Sequence, residues 1–290
     1  MADLTAARRL DLNKSKLLLI PLSTLRRTDT ESLSLFQNQL CELPDALWQL
    51  TQLTALNLGH NQIRVLPDGI GNLTRLCMLD LGHNALTTLP DALGRLTALV
   101  DFLYLSHNQL LALPESLGRL NALAYLNVSD NQLAALHDNI GDMQGLVELR
   151  VYRNQLAALP DSVGTLSQLK EFHAQQNKLP ALPESIGGLI NLRELDLADN
   201  ILTALPPSIG NLTQLRRLNL RNNAISVLPQ TMDGLRQLTH LDLRANPLRA
   251  VPDAIGEIAT LEKLDLRWCK LEGLPGWIDR LRARGTLVYC

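Results

Sequence analysis

Aromatic residues are scarce in this chain: phenylalanine, tryptophan and tyrosine together make up 3% of 290 residues, against 46% hydrophobic overall. A core built from it is aliphatic, so an aromatic side chain outside that core carries more information than usual. An excess of one charge is also lacking. The formal net charge is −2, which argues against a general binder of nucleic acid or of anionic membrane. The four cysteines, Cys41, Cys77, Cys269 and Cys290, form no C-x-x-C pair and no terminal cluster. They read as thiols of a reducing, cytoplasmic compartment rather than as a disulfide framework. The apolar run Leu17-Leu18-Leu19-Ile20 is too short for a signal-peptide core or a membrane span. No P-loop, G-x-S-x-G, H-E-x-x-H or glycine-rich dinucleotide turn occurs. Serine, histidine and aspartate are present, but nothing places them as a triad. The expectation is a chain with no catalytic residue, no metal and no cofactor.

What is present is a period. Asn38, Asn61, Asn84, Asn108, Asn131, Asn154, Asn177, Asn200, Asn223 and Asn246 fall 23 residues apart, with a single 24-residue step from Asn84 to Asn108. Around each lies one frame, L-x-x-L-x-L-x-x-N-x-L followed by L-P-x-x-I-G-x-L, clearest from Leu53 to Leu73. The segment around L-x-L predicts a short strand with its leucines turned inward and the residues between them turned to solvent. The asparagine predicts a side chain that satisfies backbone groups where the chain leaves the strand. Proline then sets φ at the start of a short helical turn, with an acid in its first turn at positions such as Asp68, Asp91 and Asp161. The glycines Gly71, Gly94, Gly118, Gly141, Gly164, Gly187, Gly210 and Gly256 are expected to let the chain leave that turn. Cys269 occupies the asparagine slot and reads as structural. At the 24-residue step, Leu99-Val100-Asp101-Phe102-Leu103 carries one residue more than the equivalent strand start. That predicts a bulge, either a harmless insertion or a shaped feature of a binding face.

This frame resembles the leucine-rich repeat family, and its L-P-x-x-I-G-x-L half is similar to the 23-residue intracellular subclass found in Ras-pathway scaffolds, plant Ras-group-related proteins and many bacterial proteins. The resemblance covers almost the whole chain. It implies an α/β leucine-rich repeat solenoid, a curved horseshoe with a parallel sheet on the concave face and short helical or 3-10 turns on the convex face. One solenoid over residues 1–290 is expected, with a degenerate first repeat at 7–29, about eleven repeats over 30–281 and a capping strand at 282–290. Alanine, leucine and arginine richness hints at a bacterial source.

Equivalent strand positions then stack into columns. Ahead of the L-x-L the column runs Ala55, Met78, Phe102, Tyr125, Glu148, Glu171, Glu194, Arg217, His240, Lys263. Two patches emerge. Phe102, Tyr104, Tyr125 and Tyr152 gather in adjacent repeats at slots where the frame asks for no aromatic, reading either as interface anchors or as exposed packing. Arg221, Arg244 and Arg267 stack as like charges. Asp242 and Asp265 beside them can neutralise that column; the other reading is a partner with acidic groups, with Trp268 as a further anchor. His60, His83 and His107 form a third column, open to a shared metal, to a pH-sensitive contact, or to no role in a border slot that accepts histidine freely. The functional expectation is a monomeric, non-catalytic scaffold that binds a protein partner on its concave face, with no nucleic acid and no membrane. The alternative is the substrate-recognition part of a bacterial effector, secreted and acting inside a host cell, or of a ligase or kinase whose catalytic domain lies outside this chain.

Overall fold

The computed structural model describes residues 8–290, so the first residue of the expected 7–29 repeat lies outside it. The chain divides into two compact units, Met1–Leu133 with Asp142–Leu146, and Ala134–Gly141 with Val147–Cys290. In the first unit the strands are β1 (Arg9–Asp11), β2 (Ser32–Ser34), β3 (Ala55–Asn57), β4 (Met78–Asp80), β5 (Phe102–Tyr104) and β6 (Tyr125–Asn127). Each pairs in parallel with the next, at a register of one frame: Leu10 with Leu33, Leu33 with Leu56, Leu56 with Leu79. In the second unit β7 (Glu148–Arg150), β8 (Glu171–His173), β9 (Glu194–Asp196), β10 (Arg217–Asn219), β11 (His240–Asp242), β12 (Lys263–Asp265) and β13 (Leu287–Tyr289) do the same. The returns are five-residue 3-10 turns such as Asp68–Asn72 and Glu184–Gly188. Among the described residues three short α-helices complete the chain: α1 (Leu22–Leu25), α2 (Asp253–Gly256) and α3 (Trp277–Ala283). This is the leucine-rich repeat solenoid architecture, with parallel strands on one side of the repeats and short 3-10 or α-helical turns on the other.

The frame explains each element. In β3 the middle residue Leu56 is buried while Ala55 and Asn57 face outward, and Leu53, Leu58, Ile70 and Leu73 close the core behind it with no exposed surface. Burying each such leucine is worth about 1.5–3 kcal/mol, and the buried middle residue recurs from β2 to β12. Proline precedes most of the turns, as at Pro67 with φ −68° and ψ 156°, while His137 stands in that place ahead of Asp138–Asp142.

The asparagine ladder ties each repeat to the one before it. The Asn61 amide donates to the carbonyls of Leu58 in its own repeat (2.9 Å) and of Leu35 in the preceding one (3.0 Å), while its Oδ1 accepts the N–H of Leu40 (3.1 Å). Asn200 repeats the arrangement with Leu197, Ala174 and Leu179. Cys269, in the same slot, makes a single bond, Sγ to the Leu243 carbonyl at 3.3 Å.

The glycines act differently from the expectation. Among the described residues the only glycine with positive φ is Gly285, so the turn glycines do not release the chain through a left-handed residue. They sit inside the turns, where a Cβ has no room. A Cβ on Gly164 would stand 2.0 Å from the Ser185 carbonyl oxygen of the next turn, and one on Gly210 would stand 2.1 Å from that of Thr231. Close packing of turn on turn is their function.

The left-handed residue lies elsewhere, directly ahead of the ladder asparagine. Gln37, His60, His83, His107, Asp130 and their equivalents through Trp268 hold φ between 50° and 61°. At the 24-residue step the extra residue is absorbed at the strand start. The Ala124 N–H bonds to the Val100 carbonyl, while that of Asp101 bonds to Cys77, and pairing resumes with Met78 opposite Phe102. Val100 is pushed outward as a result and is 42% exposed.

Candidate functional site

Nothing in the frame constrains the outward residues of the strands, so they are free to vary from repeat to repeat. In the first unit the expected aromatic patch assembles on β5 and β6. The rings of Phe102 and Tyr104 lie 4.7 Å apart, and Tyr104 meets Tyr125 edge-on at 5.1 Å. All three are half-buried. Tyr152 follows β7 in the second unit and is also half-buried.

Two positions beyond the outward strand residue stand Gly59, Gly82 and Ser106, all buried. Directly after them in the chain, His60, His83 and His107 form a stack, with ring centroids 3.9 Å apart at both steps and interplanar angles of 15° and 17°. Phe36 caps it edge-on at 4.9 Å, and Asp130 stands 3.7 Å from the His107 Nε2. Parallel stacking directs the ring nitrogens side by side rather than toward a common point, so the column is not arranged as a three-histidine metal site. Burial, with the neighbouring charges of His107 and His60, pushes the His83 imidazole below its ordinary pKa.

Asp80, the last residue of β4, lies near the stack and was not among the expected site residues. Its Oδ1 accepts the Gly82 N–H at 2.9 Å. Burial raises its carboxyl above the usual value, against the opposing effects of the Gly82 N–H, the His60 charge and the Asn57 side chain. Among the described residues no arginine or lysine pairs with it.

The second unit carries a different surface. The predicted arginine column is present, and each guanidinium is held by an aspartate. Arg244 Nε bonds to both carboxylate oxygens of Asp242, at 2.9 and 3.0 Å. Arg267 bonds to Asp265 through Nε at 2.9 Å and Nη2 at 2.7 Å. Arg221 reaches Asp199 at 3.1 Å. Asp265 also faces Arg244 at 3.4 Å, and its side chain is 1% exposed. Burial pushes that carboxyl up, but the Arg267 hydrogen bonds and the two arginine charges outweigh it and hold the group below the usual carboxylate range. Trp268 is 71% exposed in the left-handed slot, with the Arg267 guanidinium 5.5 Å from its ring and 5.1 Å from that of Tyr289.

A shallow groove of about 210 Å³ crosses β9 to β12, lined on its outward side by Glu194, Asp196, Arg217, Asn219, His240, Asp242 and Lys263. On β7 and β8, Glu148, Glu171 and His173 each bring a donor atom to within 4.8 Å of the others. Glu148 is engaged by Arg150, and His173 meets Glu171 at 3.3 Å, so the trio is already internally paired. The four cysteines are free thiols. Among the described residues no helix is long and apolar enough to cross a membrane.

Comparison with known proteins agrees with this architecture. Two family models, described as leucine rich repeat and leucine-rich repeat region, match residues 51–110 and 182–283. A leucine-rich repeat protein of Leptospira interrogans is 29% identical over 98% of this chain and 72% of its own, with a TM-score of 0.74. A plant peptide hormone receptor, RGFR1, solved in complex with RGF2, is 26% identical at a TM-score of 0.71; the match covers 96% of this chain and 54% of the receptor chain. The functional domain of InlJ from Listeria monocytogenes shares the fold, with a TM-score of 0.80 at 20% identity over 97% of this chain and 57% of its own. Among curated protein sequences nothing matches.

Proposed function

We propose, from the premise that this chain is a leucine-rich repeat protein, that it is a non-catalytic module that binds a protein partner on its concave strand face. The observation that carries this reading is the cluster of Phe102, Tyr104 and Tyr125, whose rings lie 4.7 and 5.1 Å apart on outward strand positions. The frame needs no aromatic there, and half-buried rings held by a rigid sheet lose little entropy on contact, which is why such groups dominate interface energies. RGFR1, similar in fold and 26% identical, is a plant peptide hormone receptor solved in complex with RGF2, which supports reading a repeat surface of this kind as a recognition surface. Tyr152, Arg221, Arg244, Arg267 and Trp268 are further candidates. The arginines rank lower because each already holds an aspartate. Trp268 ranks higher than they do, since a bulky side chain in a left-handed conformation that leaves its ring in water is costly for a merely structural residue.

Free thiols and the L-P-x-x-I-G-x-L frame favour a monomeric, cytoplasmic protein of the intracellular, bacterial subclass. The same surface serves the alternative in which the module presents substrates to a catalytic domain encoded beyond this segment. The test is a pull-down from native lysate with the chain and with a Tyr104→Ala, Tyr125→Ala, Tyr152→Ala variant, after circular dichroism shows that both are folded alike. A protein captured by the parent and lost by the variant is the expected result. Equal capture by both would remove the aromatic patch from the interface.

A further inference from the structure

The groove across β9 to β12 has two walls of opposite character. Ahead of the inward leucines stand Glu194, Arg217, His240 and Lys263, and after them Asp196, Asn219 and Asp242. The first wall is in register on neighbouring strands, Glu194 beside Arg217, Arg217 beside His240 and His240 beside Lys263. Among the described residues no ion pair crosses from one wall to the other. Charges are instead neutralised along each wall or behind it. Arg217 reaches Glu194 at 3.5 Å. Asp242 is held by Arg244, and Asp265 by Arg244 and Arg267. Two groups are left over, one at each end. Asp196 on β9 accepts the Ala198 N–H at 3.0 Å, and among the described residues no arginine or lysine pairs with it. Lys263 on β12 has its Nζ 5.8 Å from the Tyr289 ring, and among the described residues no carboxylate pairs with it. Both are half-buried, and both line the groove.

The dimensions decide what fits. At about 210 Å³ the groove is smaller than the ~300–1,000 Å³ of small-molecule sites, and an α-helix ~10 Å across has no room in it. Leu195, Leu218 and Leu241 line it from strands that are paired on both sides. No strand can be added there, so side chains must make the contacts. Three strand steps separate Asp196 from Lys263, about 14 Å at the ~4.8 Å spacing of neighbouring strands. An extended chain rises ~3.4 Å per residue, so about four residues span that distance. Residues four apart in an extended chain point to the same side.

We infer that the groove receives an extended segment of a protein partner that carries a basic and an acidic residue four positions apart. The basic side chain pairs with Asp196 and the acidic one with Lys263, while Arg217 and His240 border the stretch between them. Charge complementarity at both ends selects the spacing as well as the signs, because a segment with its charges closer together reaches only one of the two. The inference rests on the proposal that this strand face binds protein, and it adds the chemistry of the segment bound.

The test uses the full chain at low salt and two blocked peptides, acetyl-Lys-Thr-Val-Thr-Glu-amide and its reverse, acetyl-Glu-Thr-Val-Thr-Lys-amide, whose β-branched centres favour extension. The carboxyl ¹³C signal of Asp196 and the side-chain signals of Lys263 are followed by NMR during titration. At least one order is expected to shift both saturably. It should bind about fivefold more tightly than its shortened form with a single threonine between the charges, and than forms with norleucine for lysine or glutamine for glutamate, the upper scale of one exposed ion pair. Asp196→Asn should erase the preference for lysine over norleucine, and Lys263→Gln the preference for glutamate over glutamine. The first variant keeps the turn, since Asn57 and Asn127 accept the same backbone N–H through an amide oxygen. No saturable shift with either order, equal affinity for the shortened peptide, or a preference that survives in its variant would each overturn the inference. If the peptides fail while the tyrosine variant still loses its captured protein, the strand face binds protein and only this reading of the groove falls.

Discussion

The two units share one frame and differ in what they hang on it. In the first, the outward slots of β3 to β6 carry aromatic groups and no arginine or lysine, and among the described residues no arginine or lysine pairs with Asp80. In the second, aspartates in the same slot are clamped by Arg244 and Arg267. The frame residues are interchangeable between the two, down to asparagine side chains with equivalent partners at equivalent distances. The lesson is that stability is carried by the frame positions, which leave the outward positions free of that duty. Leucine, asparagine and glycine positions are fixed by packing and backbone satisfaction, while the outward strand positions are free to specialise. One face pairs Asp242 and Asp265 with arginines, and the other holds Asp80 through the Gly82 N–H with no such partner among the described residues.

The largest expected effect tests the shared half of that comparison. Asn108→Ala in the first unit and Asn200→Ala in the second each strand one backbone N–H and several carbonyls in a buried corner. Each should lower unfolding free energy by about 3 kcal/mol, read by urea denaturation. A markedly smaller loss at one of the two would show that the frame is not equivalent in both units. Next is Gly164→Ala, where the new Cβ meets a backbone carbonyl oxygen that cannot move aside. A loss of about 2 kcal/mol is expected by the same measurement, from overpacking rather than from conformational freedom.

The differing half is sharpened by two aspartates in one slot. Asp265→Asn should destabilise by about 2 kcal/mol at pH 7, because it removes the charge shared by two guanidiniums from a buried position. Its folded-state pKa is depressed, so its contribution is present above the unfolded value of 3.8 and is lost as pH falls below it. Asp80→Asn should act in the opposite direction. Its pKa is raised, so the favourable contribution is present below 3.8 and is lost as pH rises through the folded value. The variant should therefore melt higher than the parent at pH 7 and equally below about pH 3.5. A pair of melting curves at the two pH values decides it, and an equal or lower melting temperature at pH 7 would dissolve the contrast between the units.

The smallest effect concerns the imidazole stack. The pKa of His83 is lowered from 6.5 by burial and by its two histidine neighbours, so its stabilising contribution is present above that value and falls away as pH drops through it. His83→Asn keeps a residue that tolerates the left-handed conformation and should flatten the stability profile below pH 6.5 without altering it at pH 8. Unchanged acid sensitivity would shift attention to Asp80 and Asp130, the carboxylates that face the stack.

Much of this molecule is legible in the sequence. The 23-residue spacing of the asparagines sets strand order, register and core, because parallel stacking of identical units leaves each leucine a single place to be buried. The aromatic cluster could also be named from columns alone. The left-handed slot was legible in principle, since histidine, aspartate and asparagine recur there, but glutamine, arginine, alanine and tryptophan at the same slot hid the signal. The turn glycines were misread because their requirement comes from the next repeat's carbonyl, which the local sequence does not contain.

By itself, then, the sequence determined the repeating frame, since periodic burial and one polar corner per repeat admit one architecture. Only the tertiary structure decided which charges are spent and which remain. An aspartate two residues before an arginine and one two residues before a glycine look alike as column members. The difference appears when the side chains are placed, because pairing depends on reach, on burial and on the neighbouring strand.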